Sequence, residues 1–214
     1  MSEIRIMTTP LLDHPCRKVA QLQLLNNVLL AGLDENALAE LTPLLVVVDR
    51  NRGEFLRRQG DHRMNQYFVL EGLLKRIVTS REGRELTLRF ADAGDMETDH
   101  DAWRLGTSSP HAIVCVSRSR VAHLPMQEWN EFLERHPQAR RVFEDRVLRI
   151  TSAMLSHAVT LQLLDAPSRV HNFSCRHPEL VERLAQKELA SHLNLSAETL
   201  SRLSRHPGKA VSSL

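Results

Sequence analysis

The residues of this chain best suited to recognition chemistry are Glu198 and Arg202, which stand one helical turn apart in the segment Gln186–Leu203. A glutamate accepts a hydrogen bond from the N4 amine of cytosine, and an arginine donates to the O6 and N7 atoms of guanine. Asn194 stands where this segment turns, because asparagine tolerates the left-handed backbone conformation, and Ser196 follows it as a helix cap. The spacing therefore predicts a helix-turn-helix, whose second helix enters the major groove of DNA.

The outward-facing side chains of this predicted helix-turn-helix divide into base-reading and phosphate-binding groups. Base edges are assigned to Glu198, Ser201 and Arg202, and phosphates, which set the register on the duplex, to Ser196, Thr199, Gln186 and Lys187. The charge agrees, since residues from Pro167 onward hold seven Lys and Arg against four Asp and Glu, a net charge of +3, while the whole chain carries +2. An αα-hairpin inside a helical bundle is the alternative interpretation of the same spacing.

Composition narrows the class of protein. Hydrophobic residues make up 42% and charged residues 25% of the 214 residues, as in an ordinary globular chain. No apolar run is long enough to cross a bilayer, so no membrane partner is expected, and the N-terminus lacks the apolar stretch of a secretory signal. Three scattered cysteines without metal-binding spacing favour the reducing cytoplasm. No P-loop, GxGxxG, GxSxG or HExxH motif is found, so no enzyme is predicted.

Residues 44–125 have the pattern of a β-domain. Short apolar runs recur at a spacing of roughly 8–12 residues, and glycines separate them at Gly53, Gly60, Gly72, Gly83 and Gly94. Glu82-Gly83-Arg84 is a predicted hairpin tip. This pattern is typical of a sandwich, barrel or jelly roll, and the helical spacing of apolar residues in 16–43 predicts helices before it.

A long helix is predicted from Met126 to Leu164, with an interruption near Pro137. After the proline, apolar positions alternate steps of four and three, and this heptad seam predicts a parallel homodimer. The seam consists of Phe143, Val147, Ile150, Met154, His157, Leu161 and Leu164. A second stripe of Leu148, Leu155 and Val159 is expected to pack on the β-domain. The alternative is a single helix that is buried on two sides within one monomer.

The sequence divides into three predicted domains of an α+β fold. Residues 1–125 are expected to form an effector-sensing β-roll domain, residues 126–164 a dimerisation helix, and residues 165–214 a DNA-binding helix-turn-helix domain. The last boundary lies at Asp165–Ser168, because a proline such as Pro167 breaks a helix but is tolerated in the first turn of a new one.

Four short motifs occur in the order found in one known family. Arg57-Arg58-Gln59-Gly60-Asp61 is similar to a QGD turn, Tyr67–Gly72 to a strand that runs into a glycine turn, and Gly94-Asp95 to the GD turn before an effector segment. Glu198-Thr199-Leu200-Ser201-Arg202 is close to the E-T-x-S-R recognition signature of the Fnr and Dnr branches. With these motifs, nearly the whole chain resembles the Crp/Fnr family of bacterial transcription regulators.

The resemblance implies both an architecture and a function. The fold would be an N-terminal cyclic-nucleotide-binding-like β-roll (a double-stranded jelly roll), a long dimerisation helix and a C-terminal winged helix-turn-helix. The wing is expected to be truncated or missing, because Gly208–Val211 is at most a remnant of it. The implied protein is a homodimeric regulator that binds double-stranded DNA at an inverted repeat with TTGAT-like half-sites under the control of a small effector or redox signal. RNA polymerase is a partner if the regulator activates.

The effector is expected to differ from cyclic AMP. Cyclic-AMP receptors of the family bind the phosphate with a G-E-L-G segment and an Arg-Ser or Arg-Thr pair. This chain has Met96–Asp101 instead, with three acidic residues and no glycine, and Pro110-His111 in place of the pair. Carboxylates at this position would repel an anion in a partly desolvated pocket. Glu97, His100 and His111 are the predicted effector-pocket residues.

Two hypotheses about the cofactor stay open. The β-roll works either without a ligand, as an unliganded or redox-responsive domain, or with haem, as in the nitric-oxide-responsive Dnr branch. Haem needs an axial ligand such as histidine or cysteine. The candidates are His14, Cys16, His100, His111 and Cys115. The N-terminal cysteine cluster of the iron–sulfur Fnr proteins has no counterpart, and no other metal site is predicted.

Two other function classes compete with a DNA-binding regulator. The first is a nucleotide-binding regulatory module that acts on a protein partner, which would need an intact phosphate cassette and no base-reading pair. The second is a cupin-like metalloenzyme, whose ligands would be His62, His100, His111 and His123. These four histidines lack an HxH or HxxxE spacing, and isolated histidines are more often on the surface or hydrogen-bonded than ligating.

Overall fold

The strands of the computed structural model, which describes residues 8–205, form two sheets. They are β1 (Thr8–Pro10), β2 (Val46–Arg50), β3 (Phe55–Arg57), β4 (Asn65–Glu71), β5 (Leu73–Thr79), β6 (Glu85–Asp92), β7 (Met96–Glu97), β8 (Ala112–Cys115) and β9 (Ser119–Pro125). One sheet has the order β1-β2-β9-β4-β7 and the other the order β3-β8-β5-β6. The chain passes from one sheet to the other at most connections. The predicted α+β fold with a double-sheet β-roll is confirmed.

The middle of the first sheet is held by β9, which pairs antiparallel with β2 on one side and with β4 on the other. Strands β4, β5, β8 and β9 coincide with apolar runs of the sequence, so their side chains supply the interior of the roll. A buried cluster between the sheets consists of Tyr67, Val69, Leu74, Ala91, Ile113, Cys115 and Val121. Burial of these apolar side chains supplies the main favourable free energy for folding the roll.

Gly72 makes the tight turn between β4 and β5. Its φ is +91°, a conformation that L side chains rarely adopt, and a Cβ atom there would collide with Ser119 and with the backbone of Arg118. The glycine that sequence reasoning assigned to a turn after Tyr67–Glu71 is therefore required both by backbone conformation and by close approach of the chain.

The helices lie before, within and after the sheets. They are α1 (Arg17–Leu25), α2 (Glu35–Leu41), α3 (His100–Arg104), α4 (Met126–Arg135), α5 (Pro137–Leu163), α6 (Ala166–Arg176), α7 (Pro178–Arg183), α8 (Gln186–His192) and α9 (Ala197–Arg205). Asp34 caps α2 by accepting a hydrogen bond from the Ala37 amide at 2.8 Å. The predicted interruption near Pro137 separates α4 from α5, and Asp165 caps α6 through the Ser168 amide at 2.9 Å. No described helix is long and apolar enough to cross a membrane.

Helix α4 closes the roll with aromatic side chains. Trp129 is fully buried, and its ring meets the edges of Phe68 from β4 and Phe143 from α5 at centroid distances of 5.4 and 5.7 Å. Phe132 stacks on Trp129 at 5.4 Å. Because aromatics are only 4% of the chain, this cluster concentrates a large share of them at one place.

The described residues divide into two compact units whose boundaries cut through elements of secondary structure. One unit contains the described residues up to Arg76 together with Phe90–Leu148, and the other contains Ile77–Arg89 together with the described residues from Arg149 onward. The tip of the β5–β6 hairpin is therefore grouped with α6 to α9. The domain boundaries predicted at residues 125 and 164 lie close to the ends of secondary-structure elements and not at the ends of these compact units. They stay a prediction.

Helix α5 presents two stripes whose exposure differs from the sequence expectation. The stripe expected to pack on the β-domain is open to solvent, with Leu148, Leu155 and Val159 exposed by 69%, 66% and 47%. That expectation is wrong, because these positions lie on the face of α5 that points away from the protomer's own packed residues. Phe143 and Ile150 of the predicted seam are buried within the protomer, and the other seam residues are half-buried.

Candidate functional site

The segment Gln186–Arg205 is a helix-turn-helix in the structure as well as in the sequence. Helices α8 and α9 are joined by a short turn in which Asn194 has a φ of +53°, the left-handed conformation predicted for it. The Leu195 amide donates to the Ala190 carbonyl at 2.9 Å and so closes the end of α8. Ser196 Oγ accepts a hydrogen bond from the Thr199 amide at 3.1 Å, which confirms the predicted cap of α9.

The two helices are held together by their apolar faces. Leu189, Ala190, Leu193 and Leu200 are buried. Burial of this inner face fixes which side of α9 is turned outward. The outward side is polar, and it carries the residues predicted to contact DNA.

The predicted DNA-contact residues share this outward surface but differ in exposure. Glu198 and Arg202 are exposed, as are Ser196, Gln186 and Lys187, whereas Thr199 and Ser201 are half-buried. Glu198 lies in the first turn of α9, where a negative side chain is favoured by the helix dipole. The Ser196 hydroxyl also donates to Thr199 Oγ1 at 2.9 Å, so these two predicted phosphate contacts bond to each other.

The predicted effector segment contributes to a buried charge cluster, which consists of Arg57, Arg76, Glu97, Asp99 and His111. Asp99 forms an ion pair with Arg57, and His111 Nε2 lies 2.6 Å from Asp99 Oδ1. Burial, together with the guanidinium groups of Arg76 and Arg57, lowers the pKa of His111. Burial therefore disfavours a positive charge on the ring that faces the Asp99 carboxylate.

The second half of the buried charge cluster is the pair of Arg76 on β5 and Glu97 on β7. Arg76 Nε donates to Glu97 Oε2 at 2.8 Å, and Arg76 Nη2 donates both to that oxygen and, at 2.8 Å, to the Thr98 carbonyl. Glu97 is fully buried. The carboxylates that were expected to face an anionic ligand are thus neutralised by two arginines of the chain itself.

Comparisons with known proteins identify the two parts of the molecule. Residues 48–136 match the model of the cyclic nucleotide-binding domain. The nitrogen fixation regulation protein FixK of Bradyrhizobium diazoefficiens is 27% identical over 196 residues, which cover 85% of this chain and 81% of FixK. The chain is therefore similar to Crp/Fnr regulators in sequence and in fold. The protein matched by sequence is a regulation protein, so the predicted resemblance to a regulator is confirmed.

Three solved structures have the same fold at low identity. The c-di-GMP-responsive global regulator CLP of Xanthomonas campestris matches with a TM-score of 0.71 and 15% identity, over 84% of this chain and 96% of that one. FixK2 of Bradyrhizobium japonicum matches with a TM-score of 0.65 and 16% identity, over 79% and 89%. A regulator assigned to the Crp/Fnr family from Eubacterium rectale matches with a TM-score of 0.67 and 16% identity, over 83% and 85%.

Within this roll, the three predicted effector residues are not brought to one place. Glu97 and His111 are both in the buried charge cluster, but His100 starts α3 and packs against the edge of the Phe143 ring at 5.2 Å. Sequence reasoning missed Arg57 and Arg76 as partners of the acidic segment. A signal existed, since Lys75 and Arg76 interrupt the otherwise apolar start of β5, and an arginine inside a buried strand needs a carboxylate partner.

Most of the predicted haem ligands are already engaged by the protein. His14 Nδ1 accepts from the Cys16 amide at 3.1 Å, and His14 Nε2 lies 3.5 Å from Asp49 Oδ2. Cys115 is 1% exposed in the apolar interior of the roll, and burial raises the pKa of its thiol to about 11, so it is neither accessible nor a thiolate. Since His111 is also buried, with its Nε2 facing Asp99, the donor set does not fit an axial haem ligand at these three positions.

The histidines of the alternative metalloenzyme do not converge either. His123 is part of the first sheet, and its ring is tilted by 43° to the Tyr67 ring at a centroid distance of 5.8 Å, while His111 belongs to the buried charge cluster. Across residues 8–205, no group of three or more His, Cys, Asp or Glu side chains is placed to hold a metal ion. The cupin-like alternative therefore has no ligand set among the described residues.

Proposed function

We propose that this chain is a homodimeric transcription regulator that binds DNA at an inverted repeat with TTGAT-like half-sites. One observation carries the proposal. Glu198 and Arg202 are exposed one turn apart on α9, while the opposite face of α9 is buried against α8. Charged side chains that a fold keeps on the outward face of a recognition helix are suited to base edges in the major groove.

Each outward side chain has a role that its chemistry supports. Arg202 would donate to a guanine, Glu198 would accept from a cytosine amine, and Ser201 would contact a thymine. The exposed Gln186 and Lys187 at the start of α8 would bind phosphates. The hydroxyls of Ser196 and Thr199 already take part in the helix cap, so each would contact a phosphate only through hydrogen-bonding capacity that the cap does not use.

The dimer would form along α5. An α-helix turns by about 100° per residue, so Leu148, Leu155, Val159 and Leu163 lie on one face, opposite to the predicted Phe143–Leu161 seam. These four side chains are exposed by between 47% and 77% in the protomer. Since Phe143 and Ile150 are buried within the protomer, the exposed stripe is the better partner face. Two parallel α5 helices would hide it, as in a coiled coil.

The effector of the β-roll would not be cyclic AMP. An anionic phosphate would have to compete with Glu97 and Asp99 for Arg76 and Arg57, and these carboxylates are already fixed and buried. Removing one partner from a buried ion pair costs about 3–5 kcal/mol, and the binding of a ligand phosphate would have to offset this cost. We therefore favour a roll that acts unliganded or with a different small effector over one that holds haem. RNA polymerase would be the further partner of an activator.

The experiment is a binding titration of the purified chain with three duplexes of equal length. The first carries two inverted TTGAT half-sites whose centres are about 34 Å apart, the second carries one half-site, and the third carries a scrambled sequence. We expect the first to bind at least about 1000-fold more tightly than the third at physiological salt. Equal affinity for all three duplexes, or no binding to any of them, would overturn the proposal. Added cyclic AMP is expected to leave the titration unchanged.

A further inference from the structure

The tip of the β5–β6 hairpin, Ile77–Arg89, lies in the same compact unit as the helix-turn-helix and contacts α8 and the turn after it. Thr87 Oγ1 and Ser191 Oγ are 3.0 Å apart, and Ser191 Oγ also donates to the Glu85 carbonyl at 3.4 Å. Arg84 donates a hydrogen bond to the side chain of Asn194. The hairpin is therefore attached by polar bonds to the segment that orients α9.

Two histidines lie at the centre of this attachment. The rings of His157 on α5 and His192 on α8 are stacked in parallel, with centroids 3.9 Å apart and an interplanar angle of 1°. His192 Nδ1 is 2.9 Å from the Thr87 carbonyl, and His157 Nε2 is 3.0 Å from the His192 carbonyl. Since a carbonyl only accepts, each ring must donate from that nitrogen, which assigns the tautomer of both neutral rings.

The surroundings of the stacked pair disfavour a positive charge. His192 is 7% exposed, and Phe173 of α6 covers it at a centroid distance of 5.2 Å. Burial lowers the pKa of His192 from 6.5 to about 3, with His157 as the next cause, and burial also lowers the pKa of His157. If both rings were protonated, the two positive charges at the distance of a ring stack would repel each other strongly in this partly desolvated site.

The other charged and titratable groups on the packed elements come from four places. The hairpin contributes Arg84 and Glu85, α6 contributes Arg169 and is followed by His177, α7 contributes Glu179 beside His177, and α8 contributes Glu188 one turn before His192. His177 further lowers the pKa of His192. Within one turn of His157, α5 has no other charged residue.

We propose that the stacked His157–His192 pair is a proton-sensitive latch, which holds the β5–β6 hairpin on the helix-turn-helix while both rings are neutral and releases it when a ring is protonated. The bonds of Thr87 and Ser191 on either side of the pair make the hairpin and α8 the two parts that the latch joins. The latch stands on this geometry and does not depend on which DNA sequence α9 reads.

The direction of the pH effect follows from the sign of the shift. A histidine whose folded-state pKa is depressed stabilises the closed latch fully above its ordinary pKa, and that contribution is lost progressively as the pH falls below this value. For a fall of the His192 pKa from 6.5 to about 3, the closed state is weakened about tenfold at a pH of about 5.5. Protonation therefore opens the latch in the mildly acidic range.

Amide hydrogen exchange of the full-length protein tests the latch. Protection factors, corrected for the intrinsic pH dependence of exchange, are compared at about pH 8 and about pH 5.5. We expect amides of Ile77–Arg89 to lose about tenfold in protection at the lower pH, while amides of β4 and β9 keep theirs. Unchanged protection of the hairpin at the lower pH would overturn the proposal.

Two conservative substitutions supply the matched control. His192→Asn keeps a donor at the position of Nδ1, and His157→Gln keeps one at the position of Nε2, but neither side chain titrates. The double variant should show the same hairpin protection at both pH values, and a persistent tenfold loss would assign the effect to another group. If the double variant does not fold, NMR titration of the native His157 and His192 rings decides. Both rings must have a pKa below that of a histidine in a reference peptide. A pKa equal to the reference value for these rings would overturn the latch.

Discussion

The β-roll and the helix-turn-helix use the same side chains, arginine with glutamate or aspartate, in opposite ways. In the roll, Arg76 and Glu97 are buried and bonded to each other. On α9, Arg202 and Glu198 are both exposed, one turn apart. The chemistry is alike, but a buried charge must be paired within the fold, whereas an exposed charge can be desolvated by a partner. Burial, and not residue type, therefore separates a structural ion pair from a recognition pair.

The largest effect is expected from breaking the buried pair. Arg76→Ala leaves the Glu97 carboxylate buried without its guanidinium, and we expect a loss of about 3–5 kcal/mol in the free energy of unfolding. Urea denaturation followed by circular dichroism measures it. Replacing both residues by methionine should restore most of the stability, because an apolar pair of similar volume leaves no buried charge. An Arg76→Ala variant within about 0.5 kcal/mol of the native protein would contradict the comparison.

The next effect concerns the two faces of α5. Leu148→Glu combined with Leu155→Glu should give monomers, because each exposed leucine removed from a dimer contact costs about 1.5–3 kcal/mol and each glutamate adds repulsion. Sedimentation velocity measures the change. Ile150→Glu is the matched control on the buried face, and it should lower the stability of the protomer itself. A double variant that stays dimeric would return the interface to the Phe143–Leu161 seam.

A smaller effect is expected from the exposed pair on α9. Arg202→Ala should weaken binding to the inverted repeat by about 1–3 kcal/mol and relax the preference at one base pair, with no change in unfolding. Lys187→Ala is the control for a phosphate contact. It should weaken binding to all duplexes alike and reduce the slope of log K against log salt concentration by about one. If Arg202→Ala weakened all duplexes equally, its role in base reading would be wrong.

The smallest effect compares one helix cap from each region. Ser196→Ala removes the cap of α9 and Asp34→Ala removes the cap of α2, and each should cost about 0.5–2 kcal/mol. Hydrogen exchange should locate the loss in α9 for the first variant and in α2 for the second. Only the Ser196 variant should also weaken DNA binding, and equal weakening by both would show that general stability limits the binding.

Local signals were predicted well from sequence. Glycines at turns, the left-handed Asn194 and the cap at Ser196 act over a few neighbouring residues, so their chemistry is readable without a fold. The longer apolar runs of residues 44–125 correspond to strands such as β5 and β6 for the same reason. The short strands β1, β3 and β7 were not predicted, because two or three residues carry no detectable periodicity.

Predictions that needed a distant partner fared worse. The acidic segment Met96–Asp101 was expected to repel an anion, but its partners Arg76 and Arg57 are 21 and more residues away and reach it only through strand order. The two stripes of α5 have similar helical spacing. The stripe that was expected to pack on the β-domain is the one that is exposed to solvent. Periodicity defines faces of a helix but does not say which face meets which element.

By itself, the sequence determined the order of elements, the α+β class, the helix-turn-helix with its turn and cap, and the resemblance to the Crp/Fnr family, since these depend on contacts within a few residues or on motifs. The tertiary structure alone decided that Arg57 and Arg76 neutralise the predicted effector segment, that Leu148 and Leu155 are exposed, and that His157 stacks on His192, 35 residues away. The physical reason is that burial and charge pairing are properties of positions in space, which strand register and helix packing set only once the chain has folded.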